Sequence, residues 1–165
     1  MDITALQRAY ASLLEAAATV GDDHLAPATG EWNADEILAH VSIVSAVTIA
    51  AAATVAAGAN TTYENRLAQD AWTLGHIRAV AGGNAGLRDR IAAQGEALCA
   101  LARALSDTEL DTLVPTLLLS AGTVLVDQSM PLRDLITGLA DAELPGHTRQ
   151  LLALLPEGVM ATAAA

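Results

Sequence analysis

The residues best suited to chemistry lie near the C-terminal end of the chain: Glu143, His147 and Gln150. A stripe of leucine and isoleucine residues at steps of three and four precedes them, and the same steps lead through all three polar positions. Glu143 and His147 are four residues apart, so on a helix they stack on one face. A carboxylate is costly to bury unless it is paired, hydrogen-bonded or bound to a metal. The pattern therefore predicts a compensating partner for Glu143.

A second histidine, His40, lies beside the inward-facing stripe of a long apolar segment early in the chain. A carboxylate–histidine pair at i and i+4, joined by one histidine from a facing helix, is a recurrent metal site in helical bundles. Three ligands of this His2Glu type leave one coordination position open, as in catalytic zinc sites. Spacing alone leaves a second interpretation, in which Glu143 and His147 form a buried ion pair between two helices.

Pro145 lies between the two members of this pair. Proline removes one backbone hydrogen bond and either kinks a helix or begins a new one. A break at this position would rotate Glu143 away from His147. Both interpretations of the pair therefore require the helix to continue through Pro145.

Composition and charge narrow the classes of function. The chain has 165 residues, of which 53% are hydrophobic, and a net charge of -11 from 19 acidic and 8 basic residues. It lacks the basic surface that nucleic acid and anionic lipid require, so neither is predicted as a partner. The single cysteine, Cys99, cannot form an internal disulfide, and the N-terminal sequence does not match a signal peptide. Both features predict a cytoplasmic protein.

The elements that must position these residues are mainly helices. Periodicity and the positions of glycine and proline predict helices over about 2–20, 34–57, 64–80, 84–105 and 131–155. Two apolar runs between Val114 and Val126 predict a short hairpin or extended excursion before the last helix. The predicted fold class is all-α, an up-and-down four-helix bundle. The predicted domain organisation is one metal-binding domain over 1–156, followed by a frayed tail over 157–165.

The segment 41–58 is the one candidate for a membrane span. It is uncharged, but it is rich in alanine, serine and threonine and only just reaches the length that a span requires. No lysine or arginine flanks it closely. It is predicted to be a buried bundle helix, and no membrane partner is expected.

Two motifs resemble those of the DinB-like superfamily. The first is GEWNADEILAHV, with Trp32 eight residues before His40, and the second is Glu143-Leu-Pro-Gly-His147-Thr-Arg-Gln150. Many members have histidine at the position of Glu143, whereas glutamate there is similar to the N-terminal metal-binding domain of mycothiol-dependent maleylpyruvate isomerase. That isomerase has a second domain, for which this chain has no room.

The resemblance implies a zinc site formed by His40, Glu143 and His147, with nickel, iron or manganese as other metals that such ligands accept. It also implies a metal-dependent, thiol-dependent transferase or isomerase that acts on a small molecule, with mycothiol or a related thiol as cosubstrate. Arg149 and Gln150 are candidates to orient a ligand or support the metal ligands. The alternatives are a metal-dependent hydrolase with the same ligands and a non-catalytic dimeric helical scaffold. A homodimer is expected in either case, because the chain is rich in hydrophobic residues.

Three further residues have less specific interpretations. His24 lies in a polar loop and is predicted to be solvated. His76, near Trp72, is predicted to be an ordinary hydrogen-bonded histidine of the core or surface. Cys99 is predicted to pack as a small hydrophobic residue.

Overall fold

A computed structural model describes residues 1–21 and 27–155. The chain forms the helices α1 (Thr4–Val20), α2 (Ala34–Ala56), α3 (Ala71–Ala81), α4 (Asn84–Ala104), α5 (Asp107–Leu110), α6 (Leu132–Gly138) and α7 (Leu144–Leu152). Its strands are β1 (Tyr63–Glu64), β2 (Leu113–Ser120) and β3 (Thr123–Pro131). A 3-10 turn (Arg66–Gln69) follows β1, and a π-helical turn (Leu139–Glu143) joins α6 to α7. The predicted tail and His24 lie outside the described residues.

The start of α2 is fixed by a capping box. The Asn33 side chain accepts a hydrogen bond from the Glu36 backbone N–H at 3.0 Å, and Glu36 Oε2 accepts one from the Asn33 backbone N–H at 2.9 Å. These two bonds satisfy backbone donors that a helix N-terminus otherwise leaves without partners. Because the first residue of α2 is set in this way, His40 falls in the second turn and faces the interior.

Four helical segments surround the hydrophobic core. Helix α1 packs against α4 and α7, and α2 packs mainly against α4 and also against α6 and α7. Helices α1 and α2 touch each other only slightly. This order of neighbours differs from the predicted up-and-down bundle, in which consecutive helices are adjacent. Helix α1 ends at Val20 and α2 begins only at Ala34, and two helices so far apart in sequence need not be neighbours, because only a short connection forces adjacency.

A three-stranded sheet accompanies the helices, so the predicted all-α class is too simple. The predicted hairpin is confirmed, because β2 and β3 pair antiparallel from Leu113–Pro131 to Ser120–Thr123. Strand β1 adds a short parallel pairing with β2, in which Tyr63 lies opposite Thr116. The predicted helix over 64–80 is wrong in its first part, since α3 begins only at Ala71, after the cap supplied by Asp70. A two-residue strand has no periodicity of its own, and its conformation depends on β2.

The last helix continues through Pro145 without a break. Helix α6, the π-helical turn and α7 follow one another directly, and Pro145 lies in the first turn of α7. The Leu144 N–H donates to the Leu139 carbonyl five residues earlier, which is the bond of a π turn. A proline ring collides with the carbonyl of the fourth residue before it in a regular α-helix. The wider turn directly before Pro145 relieves this collision, and Glu143 stays on the same side as His147.

Helix α2 is long and apolar enough to cross a membrane by length and composition, and its most apolar window has a mean hydropathy of 1.9. However, 61% of its most apolar window is buried inside the protein. This is the burial of a core helix, and it is consistent with a soluble protein. The cytoplasmic location remains a prediction.

Candidate metal centre

His40, Glu143 and His147 meet at one point between α2 and the last helix. His40 Nε2 lies 2.9 Å from Glu143 Oε1, and His147 Nε2 lies 3.4 Å from the same oxygen. One ligand atom of each residue lies within 4.8 Å of the others, so the three side chains form a group that could hold a metal ion. The two imidazole rings are 4.6 Å apart between centroids. The structure thus brings together all three residues that the sequence nominated.

The orientation of His40 is fixed from the side opposite Glu143. Its ring is buried, with 4% of the residue exposed, and its Nδ1 lies 2.6 Å from the Ala68 carbonyl oxygen. A carbonyl oxygen can only accept, so Nδ1 must carry the proton that makes this bond. In neutral His40 the Nε2 atom then has a lone pair, and that lone pair points at Glu143.

This arrangement requires a proton or a metal ion between the side chains. A lone pair on Nε2 and a carboxylate oxygen 2.9 Å apart repel each other, because both are acceptors. Either a second proton on His40 or a metal ion between the two atoms removes the repulsion. A bound cation removes it at His40 and His147 together, whereas protons would have to be added to each ring separately.

His147 receives the same kind of support from Gln150. Its Nδ1 lies 2.7 Å from Gln150 Oε1, so the Nδ1–H donates to the amide oxygen and Nε2 is directed at Glu143. A ligating histidine usually donates its other N–H to a carbonyl or carboxylate, which fixes the ring and its tautomer. Gln150 therefore lies where it would support His147 as a metal ligand, and this role remains a prediction. Arg149 does not lie there, because it is exposed on the other side of α7.

The two separations that involve Glu143 suit a small divalent cation. Nitrogen and oxygen ligands about 2.1 Å from one metal lie about 3.0 to 3.5 Å apart at octahedral or tetrahedral angles. The two distances to Glu143 Oε1, 2.9 and 3.4 Å, match this range. About 37% of the Glu143 side chain is exposed, compared with 5% for His40. A ligand from solvent would therefore approach on the Glu143 side.

The ionised form of the Glu143 carboxyl is strongly favoured over the protonated form. Hydrogen-bonding contacts with His147 and then with His40 hold the pKa of its carboxyl well below the ordinary value, although partial burial acts in the opposite direction. The carboxylate is therefore ionised at neutral pH and available as a metal ligand. Its charge in turn adds to the effect of burial on nearby Tyr63, whose pKa is raised.

Trp32 covers the two histidines. Its ring centroid lies 4.8 Å from that of His40 and 6.3 Å from that of His147. An indole in this position keeps water from one side of the imidazoles and restricts their rotation. In the sequence, Trp32 is linked to this site only by its spacing from His40.

The hydrogen bond to Ala68 has no signal in the sequence, because the acceptor is a backbone group. Ala68 lies in the 3-10 turn, which the hairpin holds in place. Asn65 accepts from the Leu119 N–H at 2.8 Å and donates to the Leu119 carbonyl at 2.9 Å. Gln69 donates to the same carbonyl. The hairpin therefore positions His40 indirectly, through the turn that carries the Ala68 carbonyl.

The remaining candidates lie apart from this centre. His76 stacks on Trp72 at the surface of α3, with the rings 5.1 Å apart and almost parallel. Cys99 is buried in the hydrophobic core, as predicted, and burial raises the pKa of its thiol.

The chain was compared with protein-family models, with curated proteins and with solved structures, and none of the three comparisons found a match. The resemblance to the DinB-like superfamily therefore rests on the two sequence motifs, and membership remains a prediction.

Proposed function

We propose that this protein is a metal-dependent enzyme with a DinB-like helical bundle, in which His40, Glu143 and His147 hold one divalent cation. The proposed reaction is a thiol-dependent transfer or isomerisation of a small molecule in the cytoplasm, with zinc as the first candidate metal. The observation that carries the proposal is the bond from His40 to the Ala68 carbonyl. That bond directs an unprotonated nitrogen at a carboxylate, and a cation between the two relieves the repulsion.

The residues of the centre have separate roles in this proposal. Glu143 supplies the negative charge, while the two imidazoles supply neutral nitrogen ligands whose tautomers are set by Ala68 and Gln150. A cation held by three protein ligands would supply Lewis acidity and lower the pKa of a thiol or water that binds it. Trp32 excludes water from the side of the imidazoles, so substrate would enter past the partly exposed Glu143.

Metal content tests the proposal directly. Elemental analysis of protein purified without chelators is expected to give about one divalent metal per chain, as a three-ligand site binds one ion. His40→Ala should lose that metal. His76→Ala removes a histidine outside the group and should keep it. A wild-type chain without stoichiometric metal, even after incubation with zinc and dialysis, would contradict the proposal.

The second candidate is a non-catalytic protein in which the same three residues form an ion-pair network. The observation that favours it is the hydrogen-bonding distance from Glu143 to both histidines. In that case the histidines must be protonated, and chelators should leave the melting temperature unchanged. The metal proposal expects the opposite, since removal of a ligand that binds only the folded state lowers stability.

The class of reaction requires a substrate panel. We propose a thiol cosubstrate because the glutamate in the second motif resembles that of the thiol-dependent isomerase. Esters and amides should then turn over more slowly than small electrophiles offered together with a low-molecular-weight thiol such as mycothiol. Faster cleavage of the esters, without any thiol, would identify a hydrolase instead.

We also propose that the protein forms a homodimer through its hairpin. The outer edge of β3 has no strand partner among the described residues, and Val124 and Leu125 are 54% and 65% exposed. A long exposed edge with apolar side chains favours pairing with another strand. Light scattering should show a dimer that Leu125→Lys dissociates, because a charge blocks an apolar edge contact. A wild-type monomer at all concentrations would contradict this assignment.

A further inference from the structure

A groove on the reverse face of the last helix contains two arginines that the proposed metal centre does not use. It lies between α1 and the π-helical turn with α7, and its volume is about 580 Å³. Arg8 lines it from α1, and Arg149 lines it from α7. The ligands Glu143 and His147 do not line this groove. It is therefore a separate site from the one formed by the histidines.

Two of the chain's eight arginines, both exposed, line this groove, although the chain as a whole is strongly acidic with 19 acidic residues. Among the described residues, only Arg66 and Arg133 form arginine ion pairs. Arg8 and Arg149 lie in one groove without a carboxylate in ion-pair distance there, although Asp141 also lines it. Two guanidinium groups without protein partners are suited to an anion, because each has a planar set of donors.

The shape of the groove results from small side chains. Ala5 and Ala9 on α1 face Ala140 across it, so no large side chain fills the space. The lining is mainly apolar, with Arg8 on α1 and Arg149 on α7, and Ser12, Thr148 and Asp141 are its other polar residues. A ligand that matches both the arginines and the apolar part of the lining has an anionic group and a compact hydrocarbon body.

We propose that this groove binds a small organic oxyanion, a carboxylate or a phosphate ester, between Arg8 and Arg149, with the hydrocarbon part against the alanines of the lining. The site is independent of the metal centre and of the proposed reaction. Asp141 limits the charge that the groove tolerates, so small anions fit better than polyanions.

Calorimetric titration of metal-free protein tests this site. Phenyl phosphate and benzoate represent the two kinds of oxyanion, while benzyl alcohol has the ring without the charge and inorganic phosphate has the charge without the ring. We expect saturable binding of at least one of the two organic anions, and whichever binds more tightly identifies the anionic group. Benzyl alcohol and inorganic phosphate should each bind at least about tenfold more weakly, because each lacks one of the two features.

Substitutions then locate the binding. Arg8→Gln and Arg149→Gln should each weaken binding about tenfold, since a charge-assisted bidentate contact is lost. Arg103→Gln removes an exposed arginine of α4 and should have no effect. Ala5→Leu narrows the groove from its exposed side without a change in charge, and it should also reduce binding.

Several results would overturn the proposal. These are the absence of saturable binding to wild-type protein, undiminished binding to Arg8→Gln and Arg149→Gln, and equal binding of benzyl alcohol. A titration of zinc-loaded protein serves as a further control, because anions held by a metal would depend on His40 and not on Arg8. The experiments can therefore contradict the anion-site proposal and the metal-site proposal independently of each other.

Discussion

Helix α2 carries two kinds of buried polar group, and they differ in how their hydrogen-bonding and charge requirements are met. In its middle, Ser45 Oγ lies 2.8 Å from the Tyr10 hydroxyl, and Thr48 Oγ1 lies 3.0 Å from the Tyr63 hydroxyl. A hydroxyl both donates and accepts, so each pair is neutral and satisfied by itself. Near the start of the helix, the His40 imidazole faces a carboxylate and needs either a second proton or a metal ion.

This difference separates structural from functional polar groups. The hydroxyl pairs connect α2 to α1 and to β1, and they leave no unmet requirement for charge or hydrogen bonding. The histidine–glutamate group has both histidine tautomers fixed from outside, and its carboxylate is balanced only when protons or a metal ion lie between it and the imidazoles. Buried groups of the second kind are good candidates for function, because their cost to stability is offset only when a ligand binds.

The largest expected effect comes from the removal of Glu143. Glu143→Gln keeps the shape of the side chain but removes its charge, so metal affinity should fall at least about 100-fold, which corresponds to about 2.7 kcal/mol. Competition with a chromophoric chelator measures this change. Metal-free Glu143→Gln should be as stable as metal-free wild type or more stable. A loss of several kcal/mol in the metal-free variant would instead show that Glu143 holds two protonated histidines in an ion-pair network.

A smaller effect is expected at Gln150, which contacts His147 but is not itself one of the three candidate metal ligands. Gln150→Ala removes the acceptor for His147 Nδ1–H and should lower metal affinity about 10- to 100-fold, as is typical of such supporting contacts. Gln150→Glu keeps an acceptor and should restore most of the affinity in the same chelator assay. Equal loss in both variants would mean that the amide does not set the orientation of His147.

The hydroxyl pairs should respond to pH and not to metal. Burial raises the pKa of Tyr10 to about 12. Its contribution to stability is therefore complete below the ordinary pKa of about 10 and is lost as the pH rises from about 10 to 12. The loss in the free energy of unfolding should approach about 2 to 3 kcal/mol, because a tenfold difference in proton affinity between the folded and unfolded states corresponds to about 1.4 kcal/mol.

Denaturant unfolding at pH 8 and at pH 11.5 checks this expectation. Tyr10→Phe should reduce the pH dependence, although part of it remains because burial also raises the pKa of Tyr63. An identical pH dependence in Tyr10→Phe and wild type would show that Tyr10 does not titrate with unfolding.

The smallest expected effect is the loss of stability at neutral pH when the Tyr10 hydroxyl is removed. Tyr10→Phe leaves Ser45 with one partner fewer and should destabilise the protein by about 1 kcal/mol, the typical net value of one hydrogen bond. Metal content and affinity should not change. A change in metal affinity would mean that the two regions of α2 are energetically coupled.

The sequence predicts the grouping of His40, Glu143 and His147 better than it predicts the path of the chain around them. The apolar stripe through Glu143 and His147 was sufficient to place that pair, whereas His40 was nominated only by the resemblance of its motif. The hydrogen bond to Ala68 and the short strand at Tyr63 were not predictable, because each depends on a backbone partner that is distant in sequence. Pro145 signalled a disturbance correctly, but a π turn and a true break have the same sequence signal.

The two histidine supports also differ in how they can be lost through mutation. Gln150 is a side chain, so one altered codon can remove the acceptor that orients His147. The acceptor for His40 is the main-chain carbonyl of residue 68, which every amino acid possesses. Because Ala68 is fully buried, a large side chain at that position would displace the turn, whereas a small one would leave the carbonyl in place. The support of His40 is therefore lost only when the backbone moves, whereas a change of one side chain is enough to remove the support of His147.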